Sequence, residues 1–339
     1  MGVDLSDIVV KRKITIKDLA NMTVAIDAYN IIYQFLSSIR QPDGTPLMDR
    51  SGNVTSHLSG IFYRTITMLE NGIKPVYVFD GKPFRLKNRT LEERRIVKEK
   101  NISDLQRARE EGDTEKVRSL SSRINYINGD MIREIKELLT YMGIPFVQAP
   151  SEGEAQASWM NGKDLVQGVI SQDYDCILFG AKQIYRNITT YGRRKVSGKN
   201  IYINVSPEVI DSAETLRVLD ITREMMIDAA ILVGTDFNTG IERVGAKTAV
   251  KLIKKHGNIY EVLKAKEREI ENLQEIREFF LNPPVDENPD TNLHEMQKDE
   301  ILNALCGRHD FSRERVSPYI DNLEKVHRKA SQFNLDSFF

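Results

Sequence analysis

Three short apolar runs each end in an aspartate, and that pattern constrains the fold more than any other feature: Val24-Ala25-Ile26-Asp27, Val76-Tyr77-Val78-Phe79-Asp80 and Val169-Ile170-Ser171-Gln172-Asp173. Each is rich in β-branched or aromatic residues, the mark of a strand buried on both faces of a parallel sheet. In open α/β sheets the site lies beyond the carboxyl ends of the strands. Neighbouring strands would bring these aspartates to one rim, and Glu152, Glu154, Asp175 and Asp236 fall in segments able to reach it. Seven carboxylates gathered there repel one another and raise each other's pKa values unless cations neutralise them. Hard oxygen donors suit Mg2+ or Mn2+, and two such ions are an arrangement for phosphodiester hydrolysis.

The rest of the chain alternates in the same way. A helix follows the first strand near residues 29–39, and a Pro/Gly-bearing loop is expected over 40–53. A helix over 56–70 stops at Asn71-Gly72, the next strand covers 75–80, a helix 130–142, a strand 144–148, a helix 151–161 and a strand 168–171. Residues 184–205 suggest antiparallel strands, and the pattern from Pro207 onward reads as helical, ending in a helix near 313–330. This order predicts an α/β fold: a mostly parallel, twisted central sheet flanked by helices. Residues 82–118 carry many charges of both signs and few large apolar groups, so they read as a charged helical excursion outside the core.

With 339 residues the chain can bury one large core or two smaller ones. Two cysteines, Cys176 and Cys306, exclude a disulfide framework and fit a reducing interior, so a cytoplasmic protein is expected and a secreted one is not. No apolar run approaches the roughly 18 residues of a membrane span, and no secretory leader precedes the first strand. Met1-Gly2-Val3-Asp4-Leu5-Ser6 fits a loose myristoylation pattern, without the polybasic second signal that anchoring needs. The net charge of −1 does not advertise a nucleic-acid binder, but a carboxylate-rich site can cancel basic surfaces elsewhere.

Each motif has a plainer rival. Ser151 and Glu154 form an S-x-x-E capping box, which explains Glu154 as helix-start chemistry but leaves Glu152 unexplained. Asp27 and Asp80 suit helix N-caps or turns. Asp173 and Asp175, two apart in an extended segment, share a face and reach one ion. Gly240-Ile241-Glu242-Arg243-Val244-Gly245-Ala246-Lys247 lies between helical stretches and is followed by Lys251, Lys254 and Lys255. A glycine-bearing turn opening a helix offers backbone N–H groups to phosphate, and the lysines add attraction independent of sequence. The plain alternative is a helix connection with a solvated lysine face. Leu335, Phe338 and Phe339 sit at helical spacing near the end of the sequence, suited to a partner's apolar pocket or to their own domain.

Taken together these residues resemble the flap endonuclease family of structure-specific 5′ nucleases, in a compact, archaeal-like form, from Met1-Gly2 to Phe339. The resemblance implies one nuclease domain over residues 1–330, with 82–128 as a helical arch and 232–257 as a helix–two-turn–helix element. It implies that Asp27, Asp80, Glu152, Glu154, Asp173, Asp175 and Asp236 bind two divalent ions, Mg2+ or Mn2+. Lys87 and Arg94 match basic residues at the arch base that contact the scissile phosphate, and Tyr33 an aromatic that stacks beside it. Gly2 matches a glycine close to the active site. Gly240, Arg243, Gly245, Lys247 and Lys251 fall in the duplex-gripping element, which in the family often holds a potassium ion. Where the family often has glycine this chain has Arg243. Gln332, Leu335, Phe338 and Phe339 match the Q-x-x-L-x-x-F-F box that binds the replication sliding clamp.

The implied activity is hydrolysis at the junction of a 5′ flap and duplex DNA, with 5′-3′ exonuclease action beside it, in replication and repair. A monomer acting on branched DNA, with no membrane partner, is expected. Two other functions compete. A D-x-D phosphatase would use Asp173 and Asp175 but needs neither the lysine-rich hairpin nor five further acids; a non-catalytic junction adaptor with a clamp tail would be expected to lose some of the seven.

Overall fold

The computed structural model describes residues 2–41, 44–123, 127–189, 192–195 and 202–336. In chain order the first elements are β1 (Lys11–Lys13), β2 (Thr23–Asp27), α1 (Ala28–Ser38), α2 (Ser56–Glu70) and β3 (Lys74–Phe79). Next come α3 (Asn88–Glu110), α4 (Thr114–Arg123), α5 (Gly129–Tyr141), β4 (Phe146–Gln148), α6 (Gly153–Gly162), β5 (Gly168–Ile170) and α7 (Asp175–Leu178). The chain continues through β6 (Gln183–Arg186), β7 (Gly192–Lys195), β8 (Tyr202–Val205), β9 (Glu208–Asp211), α8 (Ser212–Leu219) and α9 (Arg223–Val233). It ends with β10 (Gly234–Thr235), β11 (Asn238–Thr239), α10 (Ala246–His256), α11 (Ile259–Lys266), α12 (Leu273–Leu281), α13 (Lys298–Leu302) and α14 (Arg313–Asp336).

The central sheet runs β1-β9-β6-β5-β2-β3-β4. The five strands from β6 to β4 are parallel, and β9 returns antiparallel between β6 and β1. Val24, Ala25 and Ile26 are wholly buried because β2 is covered on both faces. Alternate side chains feed two cores. Val24 and Ile26 pack with α1, α2, α5 and α14 on one face, while Ala25, Val76 and Val78 pack with α6, α7, α9 and α12 on the other. The expected α/β sheet, mostly parallel and flanked by helices, is therefore present.

Two local expectations are corrected. Residues after Pro207 do not go straight into helix: Glu208–Asp211 form β9, because Val209 and Ile210 alternate into the two cores. Within 184–205 antiparallel strands are present as expected, β7 with β8 and β6 with β9, while the other edge of β6 lies parallel to β5. The last helix runs to Asp336, past residue 330, so Gln332 and Leu335 are on α14, while Phe338 and Phe339 lie outside the described residues.

The charged segment does form helices, α3 and α4, and most described side chains of α3 are exposed, Ile96 and Val97 among them. Among the described residues no helix is long and apolar enough to cross a membrane.

Candidate active site

All three strand-end aspartates reach the same rim because β5, β2 and β3 are adjacent and in parallel register. Asp27 ends β2 and starts α1 with no residue between them; its carboxylate accepts the Asn30 N–H at 3.0 Å. The helix-cap and site readings of Asp27 are thus compatible, since the cap uses one oxygen. Asp80 follows β3 and accepts the Gly153 N–H at 2.6 Å, which ties it to the start of α6. A side chain at Gly153 would sit 2.8 Å from that same carboxylate, so glycine permits the approach.

Glu152 occupies the N-cap position of α6 without capping it, so the anticipated Ser151–Glu154 capping box is absent. Glu154 points from the first turn to Ser171, whose hydroxyl donates to it at 3.0 Å. Asp173 and Asp175 do not lie on an extended segment: Tyr174 has helical dihedrals and Asp175 opens α7. The pair still joins the rim, because a tight turn replaces the strand alternation. Asp175 accepts the Val3 N–H at 2.9 Å, and a side chain at Gly2 would fall 2.3 Å from its carboxylate. That crowding accounts for Gly2 without a lipid. Asp236 sits at the tip of the β10–β11 hairpin.

Crowding shows in the titration. Burial, then the Asp80 charge, pushes Asp27 up to about 8. Burial also lifts Asp175 to about 7, with Asp173 and Asp236 adding to it. Glu154 stands well above the usual carboxylate range through burial and the charges of Asp173, Asp27 and Asp175. These influences link the α6, β2 and α7 acids into one electrostatic unit.

Basic side chains stand at its edge. Lys87 pairs with Glu152 and lies 3.9 Å from Asp236, while Arg94 holds both Asp236 oxygens at 2.7 and 2.9 Å. Among the described residues no three carboxylates converge into a finished ligand cage, and these two cations take part of the charge instead. The donor set nonetheless fits hard divalent ions: it is all carboxylate oxygen, crowded and half to fully buried. Cys176 offers no softer alternative, since burial holds its thiol well above the normal range.

Tyr33 lies on α1 and is 47% exposed. At the second element, Gly240 packs against the end of α9, where a side chain would fall 2.1 Å from the Val233 carbonyl oxygen. Arg243 has φ of 64°, the left-handed region that glycine adopts without strain, which explains why glycine suits this position. Gly245 opens α10 with free space beside it, and Lys247 and Lys251 are exposed.

Residues 1–101 match the XPG N-terminal domain and residues 143–236 the XPG I-region. The sequence is 56% identical over its full length to the whole of "Flap endonuclease 1" of Picrophilus torridus. The chain belongs to the flap endonuclease family. It is also 46% identical to the protein of that name from Pyrococcus furiosus, covering 100% of this chain and 99% of the other. The solved flap endonuclease-1 from Methanococcus jannaschii superposes with a TM-score of 0.77 at 40% identity, covering 97% of this chain and all of that one. The catalytic core of Rad2 in complex with DNA substrate, at 24% identity and a TM-score of 0.67, shares the fold. Residues not flagged by sequence are Ser171, Gly153, Asn30 and Thr90, the last donating to the Asp236 carbonyl at 2.7 Å. Only tertiary contact reveals them.

One consequence of the crowding is measurable. Folded pKa values of about 8 and 7 lie above the ordinary carboxylate value, so the folded chain holds these protons more tightly than the unfolded one. Without divalent ions this contribution is intact below about pH 4 and is lost as pH rises through 7–8. Ions that hold the ionised carboxylates remove the penalty. The Tm gap between Mg2+ and chelator should therefore widen by about 5 °C from pH 6 to pH 8. A gap independent of pH would contradict the assignment.

Proposed function

We propose that the chain is a structure-specific 5′ nuclease. It hydrolyses a phosphodiester at the junction of a single-stranded 5′ flap and duplex DNA, with 5′-3′ exonuclease activity at the same site, in Okazaki fragment maturation and repair. The observation that carries this is the rim itself: seven acids at the ends of β2, β3 and β5, the starts of α6 and α7 and the β10–β11 hairpin, faced by Lys87 and Arg94, in a member of the family.

The two Mg2+ ions that Asp27, Asp80, Glu152, Glu154, Asp173, Asp175 and Asp236 would hold supply the charge that activates a water and stabilises the leaving oxygen; Mn2+ would serve as well. The chain does the rest. Lys87 and Arg94 exchange their carboxylate partners for the scissile phosphate and neutralise charge developing on it. Tyr33 stacks on the adjoining base. Residues 82–128, of which 124–126 lie outside the described residues, are the arch around the threaded flap, built on α3 and α4. The α9–α10 connection grips the duplex through Gly240, Arg243, Gly245, Lys247 and Lys251, with a potassium ion in the turn, so selection follows duplex shape and not base identity. The chain works as a monomer and is held at replication sites by residues 332–339, which dock on the sliding clamp.

The junction-adaptor alternative is disfavoured because no acid of the set is missing. End-labelled 5′-flap, 3′-flap, blunt-duplex and single-stranded substrates separate the two. A nuclease cuts the 5′ flap at its junction in preference to the others; tight flap binding without a cut in Mg2+ or Mn2+ would establish the adaptor. Deleting residues 332–339 should leave intrinsic cleavage unchanged and abolish its stimulation by clamp. Persisting stimulation would refute the role of the tail.

A further inference from the structure

We infer that Phe84 and Arg85 are positioning residues: they fasten the root of α3 to α12 and so hold Lys87 and Arg94 in register with the acidic rim. This rests on the nuclease reading of Lys87 and Arg94 given above.

The chain leaving Asp80 is fastened step by step. Gly81 N–H donates to the Ser151 carbonyl at 2.6 Å, Lys82 N–H to the Pro150 carbonyl at 3.2 Å, and Phe84 N–H to Glu152 at 3.3 Å. The Phe84 ring then lies flat on Phe279 of α12, with centroids 4.0 Å apart and planes 6° apart. It also meets Phe237, the neighbour of Asp236, edge to face at 5.3 Å. Arg85 grips both oxygens of Glu275 on α12, through Nε at 2.5 Å and through Nη2. Such a fork fixes direction as well as distance.

The anchor is itself rigid. Arg277 of α12 donates to Asp228 of α9 at 2.5 Å, and Asp228 accepts the Ile259 N–H at the start of α11 at 3.1 Å. Arg223 of α9 donates to the Phe280 carbonyl at 2.7 Å. By contrast, α3 exposes Leu91, Ile96, Val97 and Ile102, and its ties to the rim lie near its start, where Thr90 and Arg94 meet Asp236. Its orientation is therefore set at this end, where the 3-10 turn Arg85–Lys87 links the aromatic stack to Lys87. A shift of about 1 Å at a reacting group costs on the order of a hundredfold in rate. Loss of the anchor should thus appear in the chemical step and not in duplex binding, which uses a separate surface.

An exposed ion pair is worth little to stability, so charge reversal at this one tests position without threatening the fold. Single-turnover cleavage, flap Kd and Tm would be measured for Arg85→Glu, Glu275→Arg and the double swap. Each single reversal should slow cleavage about tenfold, with Kd within about twofold, and the swap should restore the rate to within about threefold. Phe84→Ala should cost more than either, and adding it to the Lys87→Ala/Arg94→Ala double variant should cost little beyond that double variant, because Phe84 acts through these two cations. Unchanged rates for the reversals, an unrescued swap, or a Phe84 loss that multiplies with that of the double variant would overturn the inference. A wild-type rate for Lys87→Ala would instead fault the role of Lys87, and the two failures are distinguishable on that one variant.

Discussion

Asp80→Ala is expected to bind a 5′-flap duplex as tightly as the unaltered chain and to cut it at least about a thousandfold more slowly. The separation follows from geometry. Asp80 lies at the rim, tied to the α6 N-terminus through Gly153, while the residues proposed to grip the duplex are carried by the α9–α10 connection. Removing this carboxylate deletes one proposed ion ligand and relieves repulsion on Asp27, so the fold should gain stability in chelator and not lose it. Equal loss of binding and cutting would mean that Asp80 contacts DNA or supports the fold, and the assignment would fail.

Lys87→Ala is the second large effect. Its ammonium group sits between Glu152 and Asp236, and it is the most enclosed cation at the rim, with a side chain 15% exposed. Burial disfavours its charge, but the Glu152, Asp80 and Asp236 carboxylates together more than offset that, so it stays protonated. A preorganised charge of this kind, acting on the phosphate as proposed, is worth about 100- to 1,000-fold in the chemical step. Single-turnover rates should fall by that factor with Kd for the flap nearly unchanged. Lys87→Arg should recover part of the loss by keeping the charge. A fall in Kd affinity matching the fall in rate would instead mark Lys87 as a binding residue for the flap.

Much of this site was legible in the sequence for a local reason. A strand buried on both faces has to be a continuous apolar run, so Val24–Ile26 and Val76–Phe79 announce themselves, and the acid after each run marks the strand's carboxyl end. Residues that touch only after folding gave no such sign. Phe84 and Phe279, or Arg85 and Glu275, are far apart in the chain, and nothing in their spacing links them. The same holds for the buried His57, which meets Glu134 at 3.1 Å, and for His309, which meets Asp49 at 3.3 Å. Where local reasoning misled, tertiary packing prevailed. Glu208–Asp211 became a strand because the sheet had an open position between β6 and β1, and Asp175 entered a helix because Cys176, Ile177 and Leu178 behind it are buried in the core. At residue 243 the departure from glycine left the backbone intact: Arg243 holds the left-handed conformation at some cost in strain.

The most direct measurement is diffraction from the chain bound to a flap-derived duplex in Mn2+, with anomalous data collected at the manganese edge. Two manganese peaks roughly 4 Å apart, enclosed by Asp27, Asp80, Glu152, Glu154, Asp173, Asp175 and Asp236, are expected. Peaks elsewhere, or an active protein–DNA complex with no manganese among these carboxylates, would contradict the two-ion site.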